Sequence, residues 1–425
     1  MVFSMNVMAF VIFSLVGVAR GQIEVAKDDN IEPFSLLCRI YNVAKNPPIN
    51  YVDLQEANRI VEEIDALNKS LLEEKGHGEE EDAGNNSEAS VKPIVTRETA
   101  LAQLSLNQIT QKAHKILGDI AKINVAEEFG KAKADFNKVI FGDGGNEDDL
   151  CHATVKGVEN RSKACGDTGE GKKGTHAGNN LVVDFFCLCT QMMDKEGVNQ
   201  VCGFYVGSNS NHGLIGWNDS VLMGSSTMWA SIKGGCGKHM QQHPMSTEEA
   251  RHILDQFLKH LKTGGVYRWG NSGDKVEGSE RKEGMLGTAV GKKDDNNGKG
   301  LICDGKKGKG STPAGICVYY GAELNSWEGN IPWLKQFKTA LTSVDAVNNQ
   351  ITSIQRALQK LQMLQHRAEE IYETGKVISE IQKPVGLPAA LQNVSGNLTA
   401  YNTTRIRSYG YNTNSYFFPA LVLLL

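Results

Sequence analysis

The sequence has no uninterrupted run of about 20 apolar residues, the length a helix needs to cross a bilayer. It has no excess of positive charge: 45 Lys and Arg stand against 49 Asp and Glu, a formal net charge of −4. Nucleic-acid binders carry clustered positive charge, so the chain offers no footprint for that partner. No proline falls between Pro332 and Pro384, which leaves a stretch that a single helix can fill. No cysteine follows Cys317, so the last quarter of the chain has no cross-link of its own.

Recognisable catalytic and metal-binding patterns are missing as well. His239 and His243 have the i, i+4 spacing that puts two imidazoles on one helix face. Met240 stands where a zinc protease needs Glu, however, and Pro244 cuts the helix short. Cys187-x-Cys189 lacks the two-residue spacing of a thiolate zinc site and reads better as two half-cystines on opposite faces of a strand. The run Gly305-Lys306-Lys307-Gly308-Lys309-Gly310-Ser311 fails the spacing of a phosphate loop and reads as a mobile basic loop between Cys303 and Cys317. Asp143 to Asp149 is acidic but lacks the alternating ligands and terminal Glu of a calcium loop. The expectation is a chain with no catalytic residues, no metal and no cofactor.

What is present begins with two short apolar segments that read as processing signals. Val7 to Val16 is apolar and is followed by Ala19 and Gly21, small residues at −3 and −1 for cleavage before Gln22. The alternative is an N-terminal core segment, and the absence of Lys or Arg ahead of the apolar run departs from the usual signal pattern. Near the other end, Asn402-Thr403-Thr404, a polar spacer and the apolar Phe417 to Leu425 match the order read by a GPI transamidase, as against an apolar strand tucked into a core. Asn402 is the expected attachment residue and Ser408 the other candidate. Removing both signals takes away Arg20, Arg405 and Arg407 of the 45 basic residues, leaving 42 against 49 acidic ones and a net charge of about −7. An acidic surface favours solubility at high density.

A secreted chain is expected to use its cysteines as disulfides. The candidates are Cys38, Cys151, Cys165, Cys187, Cys189, Cys202, Cys236, Cys303 and Cys317; nine is odd, so one thiol is left over. Cys38 is expected to tie the first flank to the middle of the chain and Cys303–Cys317 to close a loop. Candidate N-glycosylation sites are Asn68, Asn85, Asn160, Asn218, Asn393 and Asn397, and Asn402 also stands in a sequon.

Between Gly142 and Gly321 lie 33 of the 45 glycines and eight of the nine cysteines, which separates a turn-rich lobe from helix-rich flanks. The first flank carries Leu54, Ala57, Ile60, Val61, Ile64, Leu67 and Leu71 at helical spacing. An acidic Gly/Asn/Ser loop over 76–90 interrupts it. A second helical run follows Pro93 through Leu101, Leu104, Ile109, Ala113, Ile116 and Ile120 and continues through Phe129 and Phe136 to Phe141.

The strongest periodicity is a heptad seam. Phe337, Val344, Ile351, Leu358, Gln365 and Tyr372 step by seven, as do Ala340, Val347, Ile354, Leu361 and Ala368. Its roughly 50 residues would span about 75 Å and need a partner, for which the Leu101–Phe141 run in an antiparallel hairpin is the candidate. Gln365 is the one polar interruption. Within the lobe, Ser246-Thr247-Glu248-Glu249 is a capping box for a helix carrying Leu254, Phe257 and Leu261, ended by Gly264-Gly265. Strand candidates are Leu181–Leu188, Val201–Val206 and Ile316–Tyr320. The fold class expected is mainly α, an elongated antiparallel helical coiled coil with a disulfide-rich, turn-rich lobe inserted between the long helices.

Phe34-Ser35-Leu36-Leu37-Cys38-Arg39-Ile40-Tyr41-Asn42-Val43-Ala44, and Ile316-Cys317-Val318-Tyr319-Tyr320 leading into Ile331-Pro332-Trp333-Leu334, resemble the B-type N-terminal domain of trypanosome variant surface glycoproteins. The likeness runs from about Gln22 to Pro384. It divides the chain into a signal peptide (1–21), a VSG-like domain (22–384; helical flanks 50–141 and 332–383, lobe 142–321), a glycosylated stalk (385–402) and a removed anchor signal (403–425). It implies a GPI-anchored homodimer on the outer leaflet of the plasma membrane, packed laterally into a coat, met by host antibodies and exchanged in antigenic variation. The alternative it admits is a GPI-anchored surface receptor for a host serum protein, like the transferrin receptor that shares the fold. Many members carry a cysteine-rich C-terminal domain where this chain has only the Pro/Asn/Ser-rich stretch from Lys383 to Asn402.

Overall fold

The structure, a computed structural model, describes residues 23–76, 97–167, 172–192, 196–210, 213–239, 243–270, 275–293, 301–309, 312–323 and 325–381. Two hydrophobic cores organise it, one in a helical stem and one in a lobe, and the longest helix passes through both.

The stem is built on α9 (Pro332–Ile381), whose 50 residues rise about 75 Å. Both heptad series turn inward. Phe337, Ala340, Val344, Val347, Ile354, Leu361 and Ala368 are fully buried, and Ile351 and Leu358 nearly so. Three more helices pack along it: α2 (Leu54–Gly76), α3 (Arg97–Ala121) and α4 (Val125–Phe141).

Polar contacts set the directions of these helices. Asn348 donates to Pro48 O (2.9 Å), Gln355 to Tyr51 O (3.4 Å) and Gln362 to Glu56 (2.9 Å), so α2 runs parallel to α9. Phe136 meets Phe337 edge-on with ring centroids 5.6 Å apart, and Ala102 lies beside Gly375, so α4 and α3 run antiparallel to it. The expected hairpin is present, and α2 makes the stem three helices thick.

The run from Leu101 to Phe141 is not one helix. It breaks at residues 122–124, and Asn124 caps the new start by accepting from Glu127 N. Gln365, half-buried in the seam, donates to Glu63 of α2, so its polar end reaches a partner at the edge of the interface.

The lobe packs α1 (Ile31–Lys45), α5 (Arg161–Cys165), α6 (Leu181–Cys189), α7 (Ser225–His239) and α8 (Thr247–Thr263) against short strands and the start of α9. The short strands are β1 (Gly166–Asp167) paired with β2 (Lys172–Lys173), and β3 (Ser208–Ser210), β4 (Gly213–Trp217) and β5 (Leu222–Met223) in antiparallel order. The main sheet contains β6 (Gly265–Gly270), β7 (Val276–Lys282), β8 (Met285–Gly291) and β9 (Ala314–Tyr319) in the order β7-β6-β8-β9, with β6 and β8 parallel. Every residue of β8 is buried, whereas β7 is a mostly exposed edge strand rich in charge, a composition that discourages further pairing.

Four expectations are corrected. Leu181–Leu188 is helix, not strand: Asn180 accepts from Val183 N at 2.9 Å and starts α6, whose nine residues are all buried. A helix apolar on every side shows no period by which to tell it from a buried strand. Val201–Val206 forms turns rather than a strand. In the capping box Ser246 accepts from Glu249 N as expected, but the Glu249 carboxylate reaches the amide of Met245 (2.6 Å) rather than that of Ser246. The described part of the Gly-Lys loop, 305–309, is pinned rather than mobile at Gly305 to Lys307. Lys306 pairs with Glu196 (2.8 Å) and Asp219 (3.3 Å), Lys307 with Glu24 (3.3 Å), and Gly305 N bonds Gly315 O.

Candidate functional site: the cross-linked lobe

All four disulfides lie in the lobe. Cys38–Cys236 joins α1 to α7 across 198 residues; Cys165–Cys187, Cys189–Cys202 and Cys303–Cys317 close loops of 22, 13 and 14. Cys187 and Cys189 occupy the last turn of α6, not a strand. Two residues apart on a helix point to nearly opposite sides, so one reaches α5 and the other the 201–203 turn. Cys151 is the unpaired cysteine; it is exposed, with Sγ 2.9 Å from Ser225 Oγ.

The centre of the lobe is α6, and its burial creates a problem at each end. The last carbonyls of a helix have no partner within it, and here water cannot reach them. Arg161 supplies donors: its guanidinium bonds Cys187 O (3.2 Å), Thr190 O (2.8 Å) and Trp217 O (3.2 Å). Asn30 supplies two more, to Leu188 O (2.9 Å) and Ile316 O (2.8 Å). A cation at a helix C-terminus also meets the negative end of the helix dipole, and the guanidinium lies over the Trp217 ring, 5.4 Å from its centroid.

Burial pushes the Arg161 guanidinium down to about 10, with Asp304 and Asp219 pulling it back up, so it stays charged at neutral pH. Gly305 makes room for it. Its φ of +86° suits glycine, and a Cβ there would lie 2.3 Å from Arg161 Cζ.

At the other end of α6, Asp184 is fully buried. Its carboxylate accepts from Gly178 N (2.8 Å), Tyr320 OH (2.9 Å) and Trp333 Nε1 (2.7 Å), binding α6 to the end of β9 and the start of α9. Burial raises it to about 7, against the lowering effect of these three donors and of Lys173. The carboxylate of Asp184 is therefore part of the joint between lobe and stem.

An aromatic cluster fills the space beside α6. Phe185 and Tyr41 both pack on Trp229, with centroids 6.0 Å and 5.4 Å away. Burial raises the Tyr41 hydroxyl to about 12, so it remains neutral.

Among the described residues, no group of three or more His, Cys, Asp or Glu is arranged to hold a metal, and no helix is long and apolar enough to cross a membrane. His239 closes α7, and the three residues between it and His243 lie outside the described residues. Asp143 pairs with Lys138, Glu147 with Lys233, and Asp149 with His152.

Of the candidate glycosylation sites, Asn68 lies on α2, Asn160 caps α5, and Asn218 forms the turn between β4 and β5. Asn85, Asn393, Asn397, Asn402 and Ser408 lie outside the described residues. Arg161, Asp184 and Asn30 were not among the residues singled out from sequence. Asp184 left a signal, a lone charge inside the apolar run Leu181–Cys189; Arg161 left only its place within a sequon.

No curated protein matches the chain. The family model described as the trypanosomal VSG domain, B-type, matches residues 78–363. That span holds the lobe from α5 to β9, without α1, as well as α3, α4 and most of α9, and covers more than half of the 425 residues. The Phe34–Ala44 segment lies outside it. With its helical stem, its four cross-links in one lobe and this match, the chain belongs to the trypanosomal VSG domain family, the surface-coat glycoproteins of trypanosomes.

Proposed function

We propose that the chain is a GPI-anchored coat protein whose work is steric. Stems stand side by side on the outer leaflet, lobes face outward, and the dense layer keeps host antibody from the membrane. Replacement of this coat by another of the family is antigenic variation. The observation that carries the reading is the division of labour in a member of this family: every disulfide sits in the lobe, while α9 carries a buried heptad seam over most of about 75 Å.

In this reading the mature chain starts at Gln22, residues 385–402 form the stalk, and Asn402 receives the anchor, with Ser408 as the other site. The mature chain forms a homodimer. No spanning helix is needed, because the lipid holds the protein.

The test is enzymatic release. Phosphatidylinositol-specific phospholipase C applied to living cells should move the chain into the medium and abolish its partition into detergent. A chain that stays on the cells, or that is released without the enzyme, overturns the anchor.

A further inference from the structure

Three sequons fall on described residues, and their surroundings differ in a way their shared motif conceals. Asn160 is exposed at the start of α5. Its Oδ1 accepts from Lys163 N (2.9 Å) and from the hydroxyl of Ser162 (3.0 Å), the hydroxyl residue of its own sequon. Asn218 turns the chain between β4 and β5, its Oδ1 accepting from Ser220 N (3.1 Å) and Val221 N (2.7 Å). In both, the oxygen is held by local backbone N–H, joined at Asn160 by the Ser162 hydroxyl, and the side-chain nitrogen makes no hydrogen bond to a described residue. The nitrogen is the atom that carries a glycan.

The two sites are also neighbours. Arg161 N bonds Asp219 O (3.2 Å), and Trp217 Nε1 bonds Glu159 O (2.9 Å), so 159–161 and 217–219 form one surface of the lobe.

Asn68 is the reverse case. It sits in the middle of α2 and faces α3, half-buried. Both atoms of its amide are engaged: Nδ2 donates to Asn107 Oδ1 (3.0 Å) and Oδ1 accepts from Gln103 Nε2 (2.7 Å). Gln103 is itself buried. A sugar on that nitrogen would crowd Asn107 and the Gln103 contact at the edge of the α2–α3 interface.

We infer that Asn160 and Asn218 are paired N-glycan sites that together cover the 159–161/217–219 face of the lobe, and that Asn68 stays unmodified and pins α2 to α3. The inference rests on the secretion reading and goes beyond it, since sequence alone treats all three sequons alike. The covered face lies directly over the Arg161 hub, so the glycans would shield the surface beneath which the α6 carbonyls are held.

The test uses the full chain made by trypanosome cells. Peptides are mapped by mass spectrometry after glycosidase release in ¹⁸O water, in the wild type and in S162A, S220A and S70A. These variants destroy each sequon but leave the asparagine and its cap in place. Asn160 and Asn218 should each carry the ¹⁸O label. S162A and S220A should each remove one glycan step in gel mobility, and S70A none.

Label at Asn68, or a mobility step lost in S70A, overturns the pin. Unlabelled Asn160 and Asn218 beside labelled Asn393 or Asn397 overturn the paired sites while secretion stands. A chain with no label at any sequon overturns the inference, and surface biotinylation of the same cells then reads whether the secretion reading falls with it.

Discussion

The lobe and the stem solve the same problem, burial of enough apolar surface, with different materials. The stem core is aliphatic: Ala57, Ile60, Ile64, Leu106, Ala113, Ile354 and Leu361 meet along three helices, and among the described residues no disulfide joins them. The lobe core is aromatic and polar at its centre, with four disulfides, a buried cation and a buried carboxylate around α6. A heptad seam repeats one local solution along its length. The lobe rests on a few non-repeating joints, from short disulfide loops to Cys38–Cys236, which spans 198 residues.

The comparison predicts unequal responses to damage. Replacing Cys38 and Cys236 by Ala removes the closure of a 198-residue loop, an entropy change of about 5 kcal/mol. The lobe should lose its near-ultraviolet circular dichroism at lower denaturant while most of the stem's far-ultraviolet helix signal persists. Simultaneous loss of both would mean that the two regions are one cooperative unit.

In the stem, Leu361→Ala leaves a cavity at a fully buried seam position and should cost about 3 kcal/mol. Hydrogen exchange should speed up in α2, α3 and the nearby turns of α9, with the lobe's protection unchanged. Faster exchange in β8 would break the separation.

The joint between the regions carries a pH signature. Asp184 is raised in the folded state to about 7 from an ordinary 3.8. Between those values the unfolded chain has released a proton that the folded chain still holds, so this group's contribution to stability falls as pH rises from about 4 to about 7 and is greatest below that window. Urea titrations across it should show a flatter dependence in Asp184→Asn than in the wild type; an equal slope in both would remove Asp184 as the cause. The smallest effect is Ser246→Ala, which removes the cap of α8 and should lower stability by about 1 kcal/mol in a lobe-specific transition.

How far each region was legible in the sequence follows from the same contrast. The stem repeats, so periodicity placed Phe337 through Ala368 on one seam, and Pro332 and Pro384 bracketed it. The helix break at 122–124 escaped because Leu117, Ile120 and Ile123 keep helical spacing up to Asn124, whose capping role shows only in three dimensions. In the lobe, α6 was misread because all nine of its residues are buried and carry no polar face. The Gly-Lys loop was misread because the acids that hold it, Glu24, Glu196 and Asp219, come from three distant segments. Arg161 was passed over for the same reason: its acceptors are main-chain carbonyls, which have no signature in sequence.

A coat protein is defined by number. The decisive measurement is the abundance of this chain at the cell surface, taken by biotinylating living cells that express it and quantifying the labelled proteins by mass spectrometry. As a coat protein, this chain should dominate the labelled pool. A chain that is scarce there and retains a host serum protein when captured would contradict it and make the molecule a receptor.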